Sequence, residues 1–136
     1  MKPVLLDTGV IVSLLDRSEK NHSRCVEAIT GLSQPMVTCE AVIAESCYLL
    51  RNLAGAQEAI VENIEKGVFQ IPFAISRSGA FVRRLIRKYR DQRIDFADAC
   101  LIRLAEELDT GEILTLDSDF AVYRWKKNKP FQMLIQ

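Results

Sequence analysis

Histidine is almost missing from this sequence: there is one, His22. The four cysteines, Cys25, Cys39, Cys47 and Cys100, form no Cys-x-x-Cys pair. Nitrogen and sulfur ligands are therefore too few and too scattered for the usual zinc sites. Three of the cysteines sit in apolar helical patterns and read as buried, reduced thiols, small hydrophobes of a cytoplasmic protein. Net charge is also missing, with 18 basic against 18 acidic side chains, so any electrostatic attraction must be local. No apolar run approaches the ~20 residues of a membrane helix. Lys2 is followed by Pro3 and Asp7, not by the long apolar core of a secretion signal. No internal repeat and no low-complexity segment occurs.

What is present is the composition of a globular chain: 136 residues, 49% apolar and 26% charged. This excludes disordered, collagen-like and coiled-coil classes. The length suits one domain, residues 1–136. A globule of this size buries roughly two-thirds of the surface of its unfolded chain, enough to fold without disulfide or metal staples. The charge is unevenly spread. Residues 1–76 carry 6 basic and 9 acidic groups, and residues 77–136 carry 12 and 9. Seven basic residues fall between Arg77 and Arg93 against one acid, Asp91. That patch points weakly to a phosphate-bearing partner.

Short apolar runs at 4–6, 36–38, 68–71, 113–116 and 131–135 read as strands. Helical periodicity is expected from Ile11, over 22–32, 40–52, 56–66, 78–90 and 95–108, with a short turn or helix through Phe120 and Tyr123. On the 78–90 helix, Phe81, Val82, Leu85, Ile86 and Tyr89 are expected to face inward. Strands alternating with amphipathic helices indicate an α/β fold, a three-layer α/β/α sandwich with a mostly parallel central sheet. Ligands of such folds sit beyond the carboxyl ends of the strands. Asp7 follows the first strand there, and Asp117 follows the fourth.

Each acid has an ordinary reading. Asp7 could cap the helix that follows it. Asp117 and Asp119 flank Ser118 in a turn, where aspartate bonds local backbone. Asp95 could cap a helix in which Asp98 then suits the dipole. Glu45 is harder to explain this way. Its helix is apolar nearly all round, which predicts burial, and no lysine or arginine lies one turn away. A buried lone carboxylate is costly unless it is paired or binds metal, although a hydrogen bond from Asn52 or from elsewhere remains open.

As a set the acids say more. The fold logic brings Asp7, Glu45, Asp98 and Asp117 toward one sheet edge. Carboxylates ~5 Å apart repel by roughly 3 kcal/mol per pair at an effective dielectric of ~20. Such a cluster must protonate or recruit cations. Oxygen ligands favour Mg²⁺ or Mn²⁺ over zinc, and carboxylate-bound divalent ions activate water for phosphodiester hydrolysis.

Four segments carry a resemblance: LLDTGVIVSLLDRSEKNH, VTCEAVIAESCYLL, RIDFADACLIRLAEE and ILTLDSDFAVYR. In order and spacing they resemble the four sequence blocks of PIN domains, most of all the small VapC-like toxins of toxin–antitoxin pairs. The resemblance implies an Mg²⁺- or Mn²⁺-dependent endoribonuclease acting in the cytoplasm. Its acidic quartet falls on Asp7, Glu45, Asp98 and Asp117, with Asp119 as an auxiliary acid. Thr8 and Thr115 match hydroxyl positions near the metal, a role that competes with ordinary helix-start and strand-end threonines. The resemblance further implies a homodimer and a cognate antitoxin whose basic side chain enters the acidic groove. The alternative is a PIN-fold module that binds RNA or protein without catalysis.

The remaining candidates are weaker. Arg83, Arg84, Arg87 and Lys88, with Arg90 and Arg93, could meet RNA phosphates or form a solvated helix face. Lys126, Lys127 and Lys129 are similar. Tyr123 and Trp125 could stack on a base or lie in the core. His22, at a helix start, reads as structural, because metal-activated water needs no imidazole. Two other α/β classes fit worse. A haloacid-dehalogenase-like phosphatase needs Asp-x-Asp after the first strand, where Gly9 stands. A response-regulator receiver needs an aspartate after the third strand, which ends in Ile71-Pro72-Phe73.

Overall fold

A computed structural model describes residues 1–135. Strand β1 (Val4–Leu6) is wholly buried, because both of its faces are covered. It leads into α1 (Thr8–Leu15) and α2 (His22–Thr30). Strand β2 (Met36–Val37) follows, then α3 (Glu40–Leu49), α4 (Ala56–Glu65) and β3 (Phe69–Gln70). Gly67, at φ 79°, supplies the left-handed residue that ends α4. The longest helices, α5 (Ile75–Lys88) and α6 (Phe96–Leu108), precede β4 (Glu112–Leu114).

Five parallel strands form the central sheet in the order β3-β2-β1-β4-β7, where β7 is Gln132–Met133. Leu5 pairs with Val37 on one side and with Ile113 on the other. Travel along the sheet reverses after β3, so right-handed crossovers send the earlier and later helices to opposite faces. The result is a three-layer α/β/α sandwich. Chains leave β1 and β4 in opposite directions, which opens a crevice between their carboxyl ends. Asp7 and Asp117 follow those two strands.

Helix α6 is the most buried helix. Alanines at 97, 99 and 105 let it lie close among its neighbours, and Leu101, Ile102 and Leu104 are fully covered. His22 ties α2 to α1 by donating from Nδ1 to the Ser13 carbonyl at 2.7 Å, the structural role its position suggested. Cysteines 25, 39 and 100 are buried, Cys47 is half-buried, and all four are free. Among the described residues no helix is long and apolar enough to cross a membrane.

Three expectations need correction. Phe81 and Ile86 do not face inward: they are 41% and 38% exposed. Helix α5 buries only the Ser78, Val82 and Leu85 edge. The Phe81 ring instead carries the guanidinium of Arg103 at 3.6 Å and that of Arg84 at 4.5 Å. Helix α3 is not enclosed either. It buries Val42 and Ser46, while Tyr48 and Leu49 remain 63% and 54% exposed.

The third correction is a small antiparallel hairpin, β5 (Arg124–Trp125) with β6 (Lys129–Pro130), in a segment for which the sequence pattern predicts no strand. Lys126 and Asn128 turn it in left-handed conformations. Its anchor is Trp125, whose indole donates to the Pro130 carbonyl at 3.1 Å. A Cβ at Gly111 would lie 2.3 Å from that indole nitrogen, so glycine is what admits the ring.

Candidate metal centre

The crevice beyond β1 and β4 is a cleft of about 710 Å³. Asp7, Thr8, Glu45, Asp95, Asp98 and Asp117 line it, with Ser18, Lys20 and Asn21 from the loop after α1. Each acid arrives from a different element. Asp7 ends β1 and caps α1, accepting the Thr8 N–H at 2.8 Å. Asp98 lies in the first turn of α6, where its N–H donates to the capping Asp95 at 2.8 Å. Asp117 follows β4 and opens a 3-10 turn over Ser118–Ala121, accepting the Asp119 N–H at 2.9 Å. The ordinary capping roles and the cleft positions therefore coexist in the same side chains.

Carboxylate oxygens of Asp7, Asp98 and Asp117 all lie within 4.8 Å of one another. Asp7 and Asp98 are buried, and Asp117 is partly so. Among the described residues, no lysine or arginine forms an ion pair with any of the three or with Glu45. Burial, with the charges of Asp117 and Glu45 adding to it, raises Asp7 from its ordinary value of 3.8 to about 6. Asp98 is raised to about 8, first by burial and then by the charges of Asp95, Asp7 and Asp117. Desolvated, mutually repelling oxygens of this kind are the donor set that a hard divalent cation satisfies. The residues fit such an ion.

Hydroxyl groups fix the acids. Thr115 donates to Asp7 Oδ2 at 2.7 Å and accepts the Asp117 N–H at 3.0 Å, so one fully buried side chain joins two of the acids. Thr8 donates to Glu45 Oε1 at 2.7 Å. Glu45 lines the cleft from α3 but stands outside the 4.8 Å group, and it is exposed, contrary to the expectation of burial. Its partner is Thr8, not Asn52. The Asp119 side chain belongs neither to the group of three nor to the cleft lining; its backbone N–H holds Asp117.

Arg83, Arg84, Arg87 and Lys88 are exposed on α5, and none lines the cleft. Tyr123 and Trp125 are core residues, 0% and 7% exposed, so neither ring is open to a base. One cleft contact has no signal in the sequence: the Tyr123 hydroxyl reaches Asp98 Oδ2 at 3.3 Å. Burial and the Asp98 charge push that phenol well above its ordinary value, which keeps it a donor. Lys20 and Asn21 reach the cleft from the polar stretch between α1 and α2, which carries no motif of its own.

A doubly wound parallel sheet with an aspartate triad at its switch point defines an α/β/α fold with a candidate metal site, and the sequence model of the PIN domain matches residues 4–126. The chain belongs to the PIN-domain family. It is 30% identical over 116 residues to ribonuclease VapC26 of Mycobacterium tuberculosis, covering 84% of this chain and 86% of that one. The crystal structure of VapC20 from the same organism, a toxin that cleaves the sarcin–ricin loop, shares the fold. It aligns with a TM-score of 0.81 over 93% of this chain and 99% of that one, at 15% identity.

Proposed function

We propose that this protein is a divalent-metal-dependent endoribonuclease of the VapC type, the toxin of a type II toxin–antitoxin pair, acting in the cytoplasm. The observation that carries the proposal is the Asp7, Asp98 and Asp117 triad, two of its acids buried and the third partly so, without a cationic partner among the described residues. The kinship with ribonuclease VapC26 supports the reading of the substrate as RNA. Asp7, Asp98 and Asp117, with Glu45 from the cleft mouth, would hold Mg²⁺ or Mn²⁺. When bound, such an ion lowers the pKa of water and stabilises the charge of an in-line phosphodiester transition state.

The chain's own residues do the positioning. Thr115 keeps Asp7 and Asp117 in fixed relation, and Thr8 holds Glu45 toward the cleft. The open side of the cleft, lined by Ser18, Lys20 and Asn21, leaves room for a phosphate strand. Arg83, Arg84, Arg87 and Lys88 lie away from the cleft and would meet flanking phosphates only. A homodimer and an antitoxin that offers a basic side chain to the acidic cleft complete the proposal.

The test is incubation of RNA with purified protein in Mg²⁺ or Mn²⁺, in EDTA, and with Asp7→Asn. Cleavage that needs the metal and Asp7 supports the proposal. RNA binding without cleavage, unchanged by EDTA and by Asp7→Asn, overturns it in favour of a non-catalytic binding module.

A further inference from the structure

We infer that Tyr123 is a positioning residue for the acidic cleft, holding the Asp98 carboxylate where a cation requires it. This rests on the metal-dependent reading above and adds a residue to it. The Tyr123 side chain is fully buried. Its ring packs edge-on against Tyr89 at 5.0 Å and Phe120 at 5.1 Å, and Phe120 is held in turn by Phe131 at 5.3 Å. A phenol hydroxyl in an aromatic box is costly unless it is bonded. Among the described residues its partner is Asp98 Oδ2 at 3.3 Å.

The path of the chain makes this contact more than a satisfied core hydroxyl. Asp117 opens the turn and Tyr123 closes it, with the Tyr123 N–H donating to the Asp119 carbonyl at 3.1 Å. One short segment thus delivers a carboxylate to the cleft and a donor to the carboxylate facing it from α6. Asp98 Oδ1 has no protein donor among the described residues. The hydroxyl therefore fixes one oxygen and leaves the other for a ligand. Thr115 fixes Asp7 in a comparable way. Hydrogen-bond partners that orient metal-binding side chains typically account for about 10–100-fold in metal affinity.

The experiment titrates Mn²⁺ into the full chain by calorimetry and measures RNA cleavage against Mn²⁺ concentration. Tyr123→Phe keeps the ring and removes the donor. It should weaken Mn²⁺ binding about tenfold and raise the half-saturating Mn²⁺ for cleavage by the same factor. The rate at saturating Mn²⁺ should fall by less than about threefold, because the metal-bound geometry is recovered. The comparison variant is Tyr89→Phe, which removes a hydroxyl one ring away, where it accepts the Arg124 N–H at 2.9 Å. It should bind Mn²⁺ like the native chain. Installing 4-aminophenylalanine at position 123 restores a donor on the same ring and should recover affinity.

Native affinity in Tyr123→Phe, equal weakening in both Phe variants, or no recovery with the amino analogue would overturn the inference while leaving the nuclease proposal intact. A native chain that binds no Mn²⁺ would bring down the metal reading itself, and this inference with it.

Discussion

Helix α6 carries an aspartate at each end, and the fold treats them in opposite ways. Asp109, at the C-terminal cap, is met by Lys2 at 3.0 Å and by Lys126, and these two lysines hold it down at about 2. Asp98, in the first turn, faces Asp7, Asp117 and Asp95, and burial with their charges holds it up at about 8. The chain has lysines to spare, with 18 basic groups in all, yet among the described residues none pairs with the triad. One aspartate makes a solvated ion pair that staples the amino-terminal segment and the hairpin to α6. The other belongs to a centre whose charge is left for something outside the chain to balance.

The largest effect that could break this contrast is on cleavage. Asp98→Asn should reduce it by at least about a thousandfold, since each tenfold is about 1.4 kcal/mol of transition-state stabilisation. Asp109→Asn should leave it within about twofold, as expected for a group far from the reacting atoms. Equal losses in a cleavage assay would mean that the two ends of α6 do not differ in role.

Metal should separate the two ends next. Mn²⁺ at a hundred times its dissociation constant should stabilise the native chain by about 2.7 kcal/mol in thermal or denaturant unfolding. Asp109→Asn should keep that gain and Asp98→Asn should lose most of it. Without metal, Asp98→Asn should melt no lower than the native chain at high pH, because it removes a buried, repelled charge.

The pH dependence sharpens the comparison further. Asp7 and Asp98, raised to about 6 and about 8, keep protons in the folded chain that the unfolded chain has lost. Their contribution is fully present below about pH 4 and is lost as pH rises through those two values. Asp109, depressed to about 2, runs the other way. Its contribution is present above about pH 4 and is lost as pH falls through the folded value. Melting in EDTA should therefore show this part of the stability falling between about pH 4 and pH 8, with a flatter profile in Asp98→Asn. Because metal competes with protons for the same oxygens, Mn²⁺ should restore most at the alkaline end. A native profile that rises across that range in EDTA would contradict the assignment.

The smallest predicted effect concerns the links between acids. Thr115→Val removes the hydroxyl that joins Asp7 to the Asp117 backbone. It should lower cleavage about tenfold at limiting Mn²⁺ and recover at high Mn²⁺. Unchanged kinetics at both concentrations would show that the triad does not need that link.

Much of the candidate site was legible because the residues that line the cleft obey one-dimensional rules. Apolar runs end at Asp7 and near Asp117, and parallel sheets put such ends at one edge. Asp98 was legible as the third residue after the cap at Asp95. Glu45 was reached by a mistaken step. Its helix reads as apolar all round, yet one side of α3 is open, and the carboxylate is held at the cleft by Thr8, 37 positions away. Such a partner depends on how α1 meets α3, which no local pattern records. The same holds for Tyr123, whose hydroxyl bonds an acid 25 positions back. The hairpin after Tyr123 escaped because its turn uses left-handed Lys126 and Asn128 in place of glycine. Its anchor is Trp125 seated on a bare backbone at Gly111. Phe81 follows the helical spacing of Val82 and Leu85 but lies beyond the narrow edge that α5 buries, where two guanidinium groups stack on a ring that stays partly open.

The most direct measurement is anomalous diffraction from a crystal of this protein equilibrated with Mn²⁺ at about pH 8, where Asp7 has lost its proton and Asp98 is about half ionised, so that metal displaces the remaining proton. The account predicts a manganese peak between the carboxylates of Asp7, Asp98 and Asp117. A lysine or arginine head group seated there, or manganese bound only elsewhere, would contradict it.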